Sequence, residues 1–332
     1  MKKFTLPSFA GKKILITGGC GFLGTNLARK LLQQGASVTL FVRKDNECKN
    51  LRDIQKKLKI VEGDLLSEED VTKVLSDKDY LFHFAWQTDL KQSMQHPQQD
   101  LHSDGEGLLN ILETTRKINP NLKIIFTSTV TVIGIPKKLP SSETEKLNPL
   151  SIYDVHKTLG ELYLSMYHQT YGLNTVSLRL ANVFGEYQSI DNPNRGVLNF
   201  MIGKALRGEK LTVYGTGEFI RDYSYVQNFI DAFLLAAASD KVNGQTFVLG
   251  SGKGLTFNEV AQKIKDITQG LTQKNVEIVH IPFQGDEHSI NKRNFIADAS
   301  KFQKITGWYP QISFEEGLKR TILFYSYLKE KE

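Results

Sequence analysis

Short apolar runs alternate with amphipathic segments along the first half of the chain. Residues 13–17 are rich in leucine and isoleucine and end at a group of glycines, a pattern typical of a buried parallel strand. Residues 25–34 carry leucines at helical spacing, and Gly35 ends this segment. By the same criteria, strands are predicted at 37–43, 58–62, 80–86, 123–129 and 175–180, and helices at 108–117 and 151–171.

This alternation predicts an α/β fold, because parallel strands need crossover connections that place helices on the faces of the sheet. We expect a Rossmann-like doubly wound parallel sheet with a smaller C-terminal substrate-binding lobe. After Asn182 the pattern changes to longer loops, isolated helices and short strands. Ligands of such folds bind beyond the carboxyl ends of the strands, so the lobe is expected to cover that edge.

The first predicted strand leads into TGGCGFLG at residues 17–24. Gly18 permits a tight turn, Gly21 lets the backbone approach a pyrophosphate, and Gly24 lets helix and strand pack closely. A glycine-rich turn between a strand and a helix suits a dinucleotide at the helix N-terminus. Cys20 is interpreted as a small loop residue rather than a nucleophile.

The glycine turn and the change of pattern together suggest two domains. Residues 1–185 are assigned to an NAD(P)-binding Rossmann domain, to which 222–250 is expected to return. Residues 186–221 and 251–332 are assigned to the smaller lobe.

The end of the second predicted strand bears on the choice between NAD and NADP. An acidic residue there would bind the adenosine ribose hydroxyls, whereas an arginine would accommodate a 2′-phosphate. Here the strand position is Val42, followed by Arg43 and Lys44, which favours NADP; ordinary loop charge is the alternative. Asp64, after the third strand, is predicted to lie beside the adenine, although Gly-Asp is also a common turn.

Composition and charge narrow the class of protein. The chain has 332 residues, 40% hydrophobic and 23% charged, as in ordinary globular domains. The net charge of +6 comes from scattered lysines and arginines, which does not favour nucleic acid as a partner. Cys20 and Cys48 form neither a disulfide framework nor a metal set, which is typical of a reducing compartment. The apolar run at 229–238 is short and contains Asp231, so we expect a buried helix, no membrane span and a cytoplasmic protein.

A tyrosine and a lysine stand four residues apart in the predicted helix at 151–171. Tyr153 and Lys157 therefore fall on one helical face, which brings a phenol and an ammonium group together. The preceding predicted strand ends in Thr127-Ser128-Thr129. Combined with the glycine turn, these residues indicate hydride chemistry at the 4-hydroxyl group of a sugar.

With these motifs the chain resembles the extended short-chain dehydrogenase/reductase family, in particular its nucleotide-sugar epimerases, dehydratases and reductases. The resemblance extends from Lys13 to about Gly317. Its further motifs are HFA at 83–85, LRLANVFG at 178–185, VYGTG at 213–217, RD at 221–222, YV at 225–226, AD at 297–298 and GW at 307–308. The later motifs are typical of the members that bind sugar nucleotides.

The resemblance implies a catalytic role for three residues. Tyr153 would be the acid/base, with a pKa lowered by Lys157 and by the positively charged nicotinamide. Lys157 would also hold the nicotinamide ribose. The hydroxyl group of Thr129 would bridge the substrate oxygen and Tyr153.

The resemblance also implies two sets of binding residues. The residues expected at NAD or NADP are Gly18, Gly21, Phe22, Leu23, Gly24, Arg43, Asp64, Leu65, Phe84, Ala85, Trp86, Thr127, Tyr153, Lys157, Leu180, Asn182 and Val183. The residues expected at a nucleotide-diphosphate sugar are Gln87, Thr129, Asn182, Val197, Leu198, Val213, Tyr214, Arg221 and Arg293. Asn182 and Arg221 would face the diphosphate, although Arg221 could equally form a surface ion pair with an acid such as Asp222.

Several residues depart from the family pattern. Dehydratases place Asp-Glu directly after the catalytic threonine, whereas this chain has Val130 and Thr131, so dehydration is not expected. Trp86 stands where a small residue is usual, and His102 takes the place of a frequent asparagine. The arginine that the family usually has just before a Gly-Asp pair is absent from FQGD at residues 283–286, and Arg293 is its candidate replacement.

Three interpretations stay open. The first is an NAD(P)-dependent nucleotide-sugar epimerase that works through a transient 4-keto sugar. The second is an NADPH-dependent nucleotide 4-keto-sugar reductase, which Arg43 favours. The third is a non-catalytic cofactor-sensing protein, which the intact Thr129, Tyr153 and Lys157 disfavour.

Family members commonly pair through two helices, so we expect a homodimer formed by the helices at 108–117 and 151–171.

Overall fold

The computed structural model of the chain describes residues 4–44, 46–283 and 293–329. Its strands are β1 (Lys13–Thr17), β2 (Ser37–Val42), β3 (Lys59–Glu62), β4 (Tyr80–His83), β5 (Lys123–Thr129), β6 (Asn174–Leu180), β7 (Asn182–Phe184), β8 (Leu211–Tyr214), β9 (Ile220–Tyr225), β10 (Gln245–Leu249), β11 (Gly254–Thr256) and β12 (Ile278–Ile281). A seven-stranded parallel sheet has the order β10-β6-β5-β4-β1-β2-β3. Two small sheets, β11-β9-β7 and β12-β8, complete the strand pairing of the described residues.

Helices connect the strands of the central sheet and cover both of its faces. The α-helices are α1 (Phe22–Gln33), α2 (Glu68–Leu75), α3 (Leu90–Gln95), α4 (Pro97–Asp100), α5 (Gly107–Ile118), α6 (Ile152–Tyr171), α7 (Val197–Arg207), α8 (Val226–Ala238), α9 (Phe257–Thr272), α10 (Ser300–Thr306) and α11 (Phe314–Lys329). The shorter helical segments are the 3₁₀ helices Lys49–Lys57, Val130–Ile133 and Asp240–Val242 and the π-helical segment Leu101–Glu106. In the described part of the chain, no helix is long and apolar enough to span a membrane.

Two apolar clusters lie on the two faces of the central sheet. In β1, Ile14 and Ile16 belong to one cluster and Leu15 to the other, because successive side chains of a strand point to opposite faces. Helices α1 and α8 contribute Leu27 and Phe233 to the first cluster, and α2, α5 and α6 supply residues to the second. Burial on both faces explains why these strands are continuously apolar.

The predicted α/β fold with a doubly wound parallel sheet is confirmed, and most element bounds agree within a few residues. The strands predicted at 13–17 and 123–129 have those bounds. The strand predicted at 80–86 ends at His83, because residues 84–86 leave the sheet to line a cavity described below. The helix predicted at 25–34 begins earlier, at Phe22, directly after the extended residue Gly21.

The two cysteines form a disulfide bond, which corrects the expectation that they are unpaired. Cys20 lies in the glycine turn and Cys48 directly precedes a 3₁₀ helix, with their Cα atoms 4.7 Å apart. Composition does not reveal this pair, because the residues are 28 positions apart and meet only where the loops after β1 and β2 come together. The bond therefore ties two loops at one edge of the sheet.

We expect Cys48→Ser to lower the free energy of unfolding by about 3 kcal/mol without reductant, since a disulfide that closes a loop of this size restricts the unfolded chain. Denaturant titration of both proteins measures the difference. With excess dithiothreitol the two proteins should agree within about 0.5 kcal/mol, because the wild-type bond is then open as well. Equal stability without reductant would contradict the prediction.

Candidate active site

A cavity of about 500 Å³ opens at the carboxyl ends of the central strands. Its wall contains Gly18 after β1, Val42 at the end of β2, Phe84 after β4, Thr129 at the end of β5 and Leu180 at the end of β6. Parallel strands end at the same edge of a sheet, so residues far apart in sequence converge there.

The cavity gathers nearly the whole predicted cofactor set. Within the described part of the chain, its lining includes every residue of that set except Asn182, namely Gly18, Gly21, Phe22, Leu23, Gly24, Arg43, Asp64, Leu65, Phe84, Ala85, Trp86, Thr127, Tyr153, Lys157, Leu180 and Val183. The side-chain nitrogen of Asn182 instead donates to the carbonyl oxygen of Asp222, at 3.1 Å. The binding roles of these residues stay predictions.

The glycine turn has the shape that a dinucleotide pyrophosphate requires. Gly18 has a φ of +68°, and a Cβ atom there would lie 2.7 Å from the backbone nitrogen of Ala85. A Cβ atom at Gly24 would lie 2.5 Å from the carbonyl oxygen of Gly18. Helix α1 begins directly after this turn and, among the described residues, has no side-chain cap. The N–H groups of its first turn therefore lie at the cavity wall, where they suit a negatively charged group.

A positively charged side chain, that of Arg43, lies in the cavity wall just after β2. Val42 is buried, whereas Arg43 is exposed and lines the cavity together with Asn46. Lys44 is also exposed but is not part of the lining in the described residues. Asn46 carries a polar side chain whose position the sequence analysis did not predict, because it lies in an irregular loop.

Helix α6 carries Tyr153 and Lys157 to the cavity. Ser151 caps the helix through its side chain and so fixes where the helix begins. The Nζ atom of Lys157 donates to the carbonyl oxygen of Thr127 at 2.6 Å and lies 4.1 Å from the centre of the Trp86 ring. The ammonium group is thus held between the end of β5 and an aromatic ring.

Burial has the largest effect on the pKa values of Tyr153 and Lys157. It lowers the pKa of Lys157 to about 7, while the carboxylate of Asp104 opposes this shift. Burial also raises the pKa of Tyr153 above its usual value, and Asp154 and Asp104 act in the same direction. In the protein without a bound cofactor, the pKa of Tyr153 is therefore raised, whereas the resemblance implies a lowered pKa when the nicotinamide is bound. The charge of Arg293 opposes the upward shift. The positive charge of an oxidised nicotinamide would act in the same direction as Arg293.

A buried carboxyl group that sequence reasoning missed lies near Lys157. Asp104, in the π-helical segment, accepts a hydrogen bond from the backbone N–H of Gln87 at 2.8 Å. Burial raises the pKa of Asp104 to about 6, while Lys157 opposes the shift. His102, which takes the place of a frequent asparagine, is exposed, and its Nδ1 atom lies 2.8 Å from the Glu106 carboxylate. Asp104 lies in a π-helical turn, whose residue spacing differs from that of an α-helix, so helical periodicity in the sequence does not indicate its inward position.

Thr129 belongs to a chain of hydrogen bonds beside Tyr153. Its Oγ1 atom accepts from the backbone N–H of Thr131 at 3.2 Å and lies 3.0 Å from the Oγ1 atom of Thr131. The hydroxyl group of Thr131 is in turn bonded to the Asp154 carboxylate, which is buried. No role was predicted for Asp154, and only its place next to Tyr153 in the sequence could have drawn attention to it.

Part of the predicted substrate set lies at or near the cavity. Gln87 and Thr129 line it. Arg221 and Arg293 are not among the lining residues in the described part of the chain. They are neighbours, since the Arg221 guanidinium donates to the carbonyl oxygen of Arg293. Burial lowers the pKa of Arg293 to about 10, and the charge on Arg221 acts in the same direction, while Asp154 and Tyr153 oppose it. Two guanidinium groups whose charges influence each other suit an anionic ligand.

The remaining predicted substrate residues do not line the cavity within the described part of the chain. Leu198 and Val213 are 2% and 1% exposed and pack in the apolar core, which corrects their predicted place in the pocket. They are on the inward sides of α7 and β8, where apolar side chains are needed for packing. Val197 and Tyr214 are exposed, and the Tyr214 ring stacks on that of Phe283 at 5.8 Å.

A loop before α7 supplies lining residues that sequence reasoning missed. These residues are Gln188, Asn194, Arg195 and Gly196. The sequence shows only a long polar loop here, without periodicity that could indicate which side chains face inward.

The chain belongs to the NAD dependent epimerase/dehydratase family, whose model matches residues 14–250. This range includes the central sheet, the glycine turn and helix α6. The family resemblance of the motifs is thereby confirmed.

Known relatives match nearly the whole chain. A UDP-N-acetyl-alpha-D-glucosaminuronate decarboxylase from Bacillus cytotoxicus is 31% identical over 328 residues, which cover 95% of this chain and 98% of the relative. The crystal structure of UDP-glucose 4-epimerase from Thermotoga maritima with UDP-glucose is 32% identical, with a TM-score of 0.86 over 96% of this chain and 100% of that chain. UDP-glucose 4-epimerase from Thermus thermophilus in complex with NAD is 29% identical, with a TM-score of 0.82 over 94% and 98%. Because these relatives carry out different reactions, the family defines the class of enzyme but not the reaction.

Proposed function

We propose that the chain is an NAD(P)-dependent nucleotide-sugar epimerase that works through a transient 4-keto sugar. The observation that carries this proposal is that Thr129, Tyr153 and Lys157 line the same cavity as the glycine turn. A sugar hydroxyl group placed there would meet a proton acceptor beside the cofactor. The UDP-glucose present in the Thermotoga maritima epimerase supports a nucleotide sugar as the ligand.

The residues at the cavity would have the following roles in this reaction. The glycine turn and the first turn of α1 would hold the cofactor pyrophosphate, and Lys157 the nicotinamide ribose. A bound nicotinamide cofactor supplies the acceptor and donor of the hydride at sugar C4. Tyr153 would take the proton of the 4-hydroxyl group and return it, with the hydroxyl group of Thr129 fixing the position of the oxygen. Arg221 and Arg293 would hold the diphosphate.

The residues after Thr129 support epimerisation over dehydration. Val130 is buried and apolar, and Thr131 is bonded to the Asp154 carboxylate. Neither side chain is an acid or base of the kind that elimination of water at C5 and C6 requires. We therefore expect no 4-keto-6-deoxy product.

A reductase of nucleotide 4-keto sugars is the second candidate. Arg43 in the cavity wall favours it, because an arginine suits the 2′-phosphate of NADPH, the usual reductant. The NAD bound to the Thermus thermophilus epimerase supports the first candidate. A reductase would use Tyr153 once, as a proton donor, and release the oxidised cofactor.

We also propose a homodimer that pairs through α5 and α6. Leu162 and Met166 on α6 are 58% and 40% exposed, and Leu159 and Tyr163 are half-buried beside them. A helix that presents an apolar stripe on its outer side suits a two-fold interface.

The reaction is tested by incubating the protein with UDP-, GDP-, CDP- and dTDP-sugars and with NAD or NADP, and following products by NMR. We expect interconversion of C4 epimers without net consumption of cofactor. In Tyr153→Phe, which keeps the ring but removes the proton acceptor, kcat should fall about a hundredfold while sugar binding persists. Thr129→Val should also reduce turnover more than binding. Stoichiometric oxidation of NADPH by a keto sugar, without epimer interconversion, would establish the reductase instead.

Arg43→Asp should weaken NADP binding by about 2 kcal/mol and NAD binding much less, because it removes a charge-assisted contact to the 2′-phosphate. Calorimetric titration with both cofactors measures this difference. Lys44→Asp is the matched control, since it makes the same charge change outside the cavity lining and should affect both cofactors equally. Equal losses for NADP and NAD in Arg43→Asp would show that Arg43 is only a surface charge.

Leu162→Glu should convert the dimer into a monomer, because it places a charge in the proposed apolar interface. Light scattering at micromolar concentration reports the mass. Leu323→Glu on α11 is the control, because Leu323 is also exposed, at 46%, but lies on another helix. A wild-type monomer would remove the proposal.

A further inference from the structure

A series of three hydrogen-bonded side chains, two hydroxyl groups and one carboxyl group, leads from the cavity into the interior. Thr129 lines the cavity, its Oγ1 atom is 3.0 Å from that of Thr131, and Thr131 is bonded to Oδ1 of Asp154. This hydrogen-bonded series ends at Asp154, which is 1% exposed. It is separate from the contact that Lys157 makes with the carbonyl oxygen of Thr127.

The position of Asp154 in α6 would ordinarily indicate a helix-capping role. It is the third residue after the N-cap Ser151, where an acidic side chain commonly accepts from the N-cap backbone N–H. Here Oδ1 is turned to Thr131 instead, and Oδ2 has no hydrogen-bond partner among the described residues. The side chain is therefore directed at the threonines rather than at the helix end.

Two sources of positive charge lie close to Asp154. It lies in the first turn of α6, where the partial positive charge of the helix stabilises an anion. The guanidinium group of Arg293 is close enough to interact with both Asp154 and Tyr153. A buried carboxylate needs such compensation, because its only hydrogen bond among the described side chains is the one from Thr131.

The number of hydroxyl hydrogens determines the direction of each hydrogen bond in this series. The single hydroxyl hydrogen of Thr131 is donated to Oδ1 of Asp154. Thr129 must then donate its own hydroxyl hydrogen to Thr131. One lone pair of Thr129 accepts the backbone N–H of Thr131, which leaves the other to accept from a group in the cavity. A sugar hydroxyl group would therefore donate its single hydrogen either to Tyr153, as proposed above, or to Thr129.

We propose that Asp154 is a second acceptor for the proton of the sugar hydroxyl group, reached through Thr129 and Thr131. The sugar proton passes to Thr129, the Thr129 proton to Thr131, and the Thr131 proton to Asp154, while the C4 hydrogen leaves as hydride as described above. Each threonine gains one proton and loses one, and Asp154 becomes a neutral carboxylic acid. The reverse shifts restore the hydroxyl group. This inference rests on the proposed function, and Asp154 acts in it as a positioning and relay residue.

The relay is tested first at Thr131, whose hydroxyl group is its middle link. We expect Thr131→Val to lower kcat about tenfold with little change in KM, since the substitution keeps the volume but breaks the chain. Thr131→Ser keeps the hydroxyl group and should restore most of the lost turnover. In a Tyr153→Phe background, Thr131→Val should remove the residual activity. Wild-type turnover in Thr131→Val, or no recovery in Thr131→Ser, would overturn the relay.

Asp154→Asn tests the last group of the relay. Combined with Thr131→Val, it should cost no more than either substitution alone, because both break one path. Additive losses would show two independent effects and overturn the relay.

Infrared difference spectra of wild type against Asp154→Asn give a readout that needs neither sugar nor cofactor. At neutral pH we expect the bands of an ionised carboxylate, altered in Thr131→Val and retained in Thr131→Ser. The carbonyl band of a protonated carboxyl group would reverse the bond directions and overturn the relay. If the spectra show the carboxylate but the wild type turns over no nucleotide sugar, the proposed function fails and the relay to a sugar fails with it. If the wild type is active and Thr131→Val is equally active, only the relay fails.

Discussion

The close contact between helix α6 and strand β5 determines the geometry of the whole site. Gly160 permits this contact, because a Cβ atom there would lie 2.8 Å from the ring of Phe126 on β5. With the helix this near, the ammonium group of Lys157 reaches the carbonyl oxygen of Thr127 at 2.6 Å. A bulkier residue at Gly160 would move the helix outward and separate the tyrosine and lysine from the end of the strand.

A buried ion pair fixes the register of α6 against the sheet. Glu161 accepts from Arg179 on β6 at 2.6 to 3.2 Å and from the hydroxyl group of Ser128 on β5 at 2.5 Å. Because the pair is buried, loss of either charge would leave the other uncompensated, at a cost of about 3 to 5 kcal/mol. Two helical turns earlier on the same helix, Asp154 meets Thr131. The same register therefore places both the ion pair and the proposed relay.

Features that depend on neighbours in the sequence were predictable from it. The alternation of apolar runs predicted the sheet, and the bounds of β1 and β5 were those expected. The spacing of Tyr153 and Lys157 placed both at one cavity, because residues four apart share a helical face. The turn containing Gly18 and Gly24 was predictable for the same reason, since its tight geometry is a local property of the backbone. How residues 1–185 and the later segments divide into domains stays a prediction.

Other features were decided only by the tertiary structure, because they join side chains from separate elements. Cys20 and Cys48 meet because β1 and β2 are adjacent, and nothing in their spacing shows this. Asp104 faces the cavity because a π-helical turn changes the helical spacing, and Leu198 faces the core because of how α7 packs. The pKa of Tyr153 rises because burial, together with nearby carboxylates, outweighs the opposing charge of Arg293. By itself the sequence determined the fold, the family and the candidate reacting groups, which depend on local periodicity and motifs. The tertiary structure decided the charge environment and the partners of those groups, because burial and contact depend on residues distant in the chain.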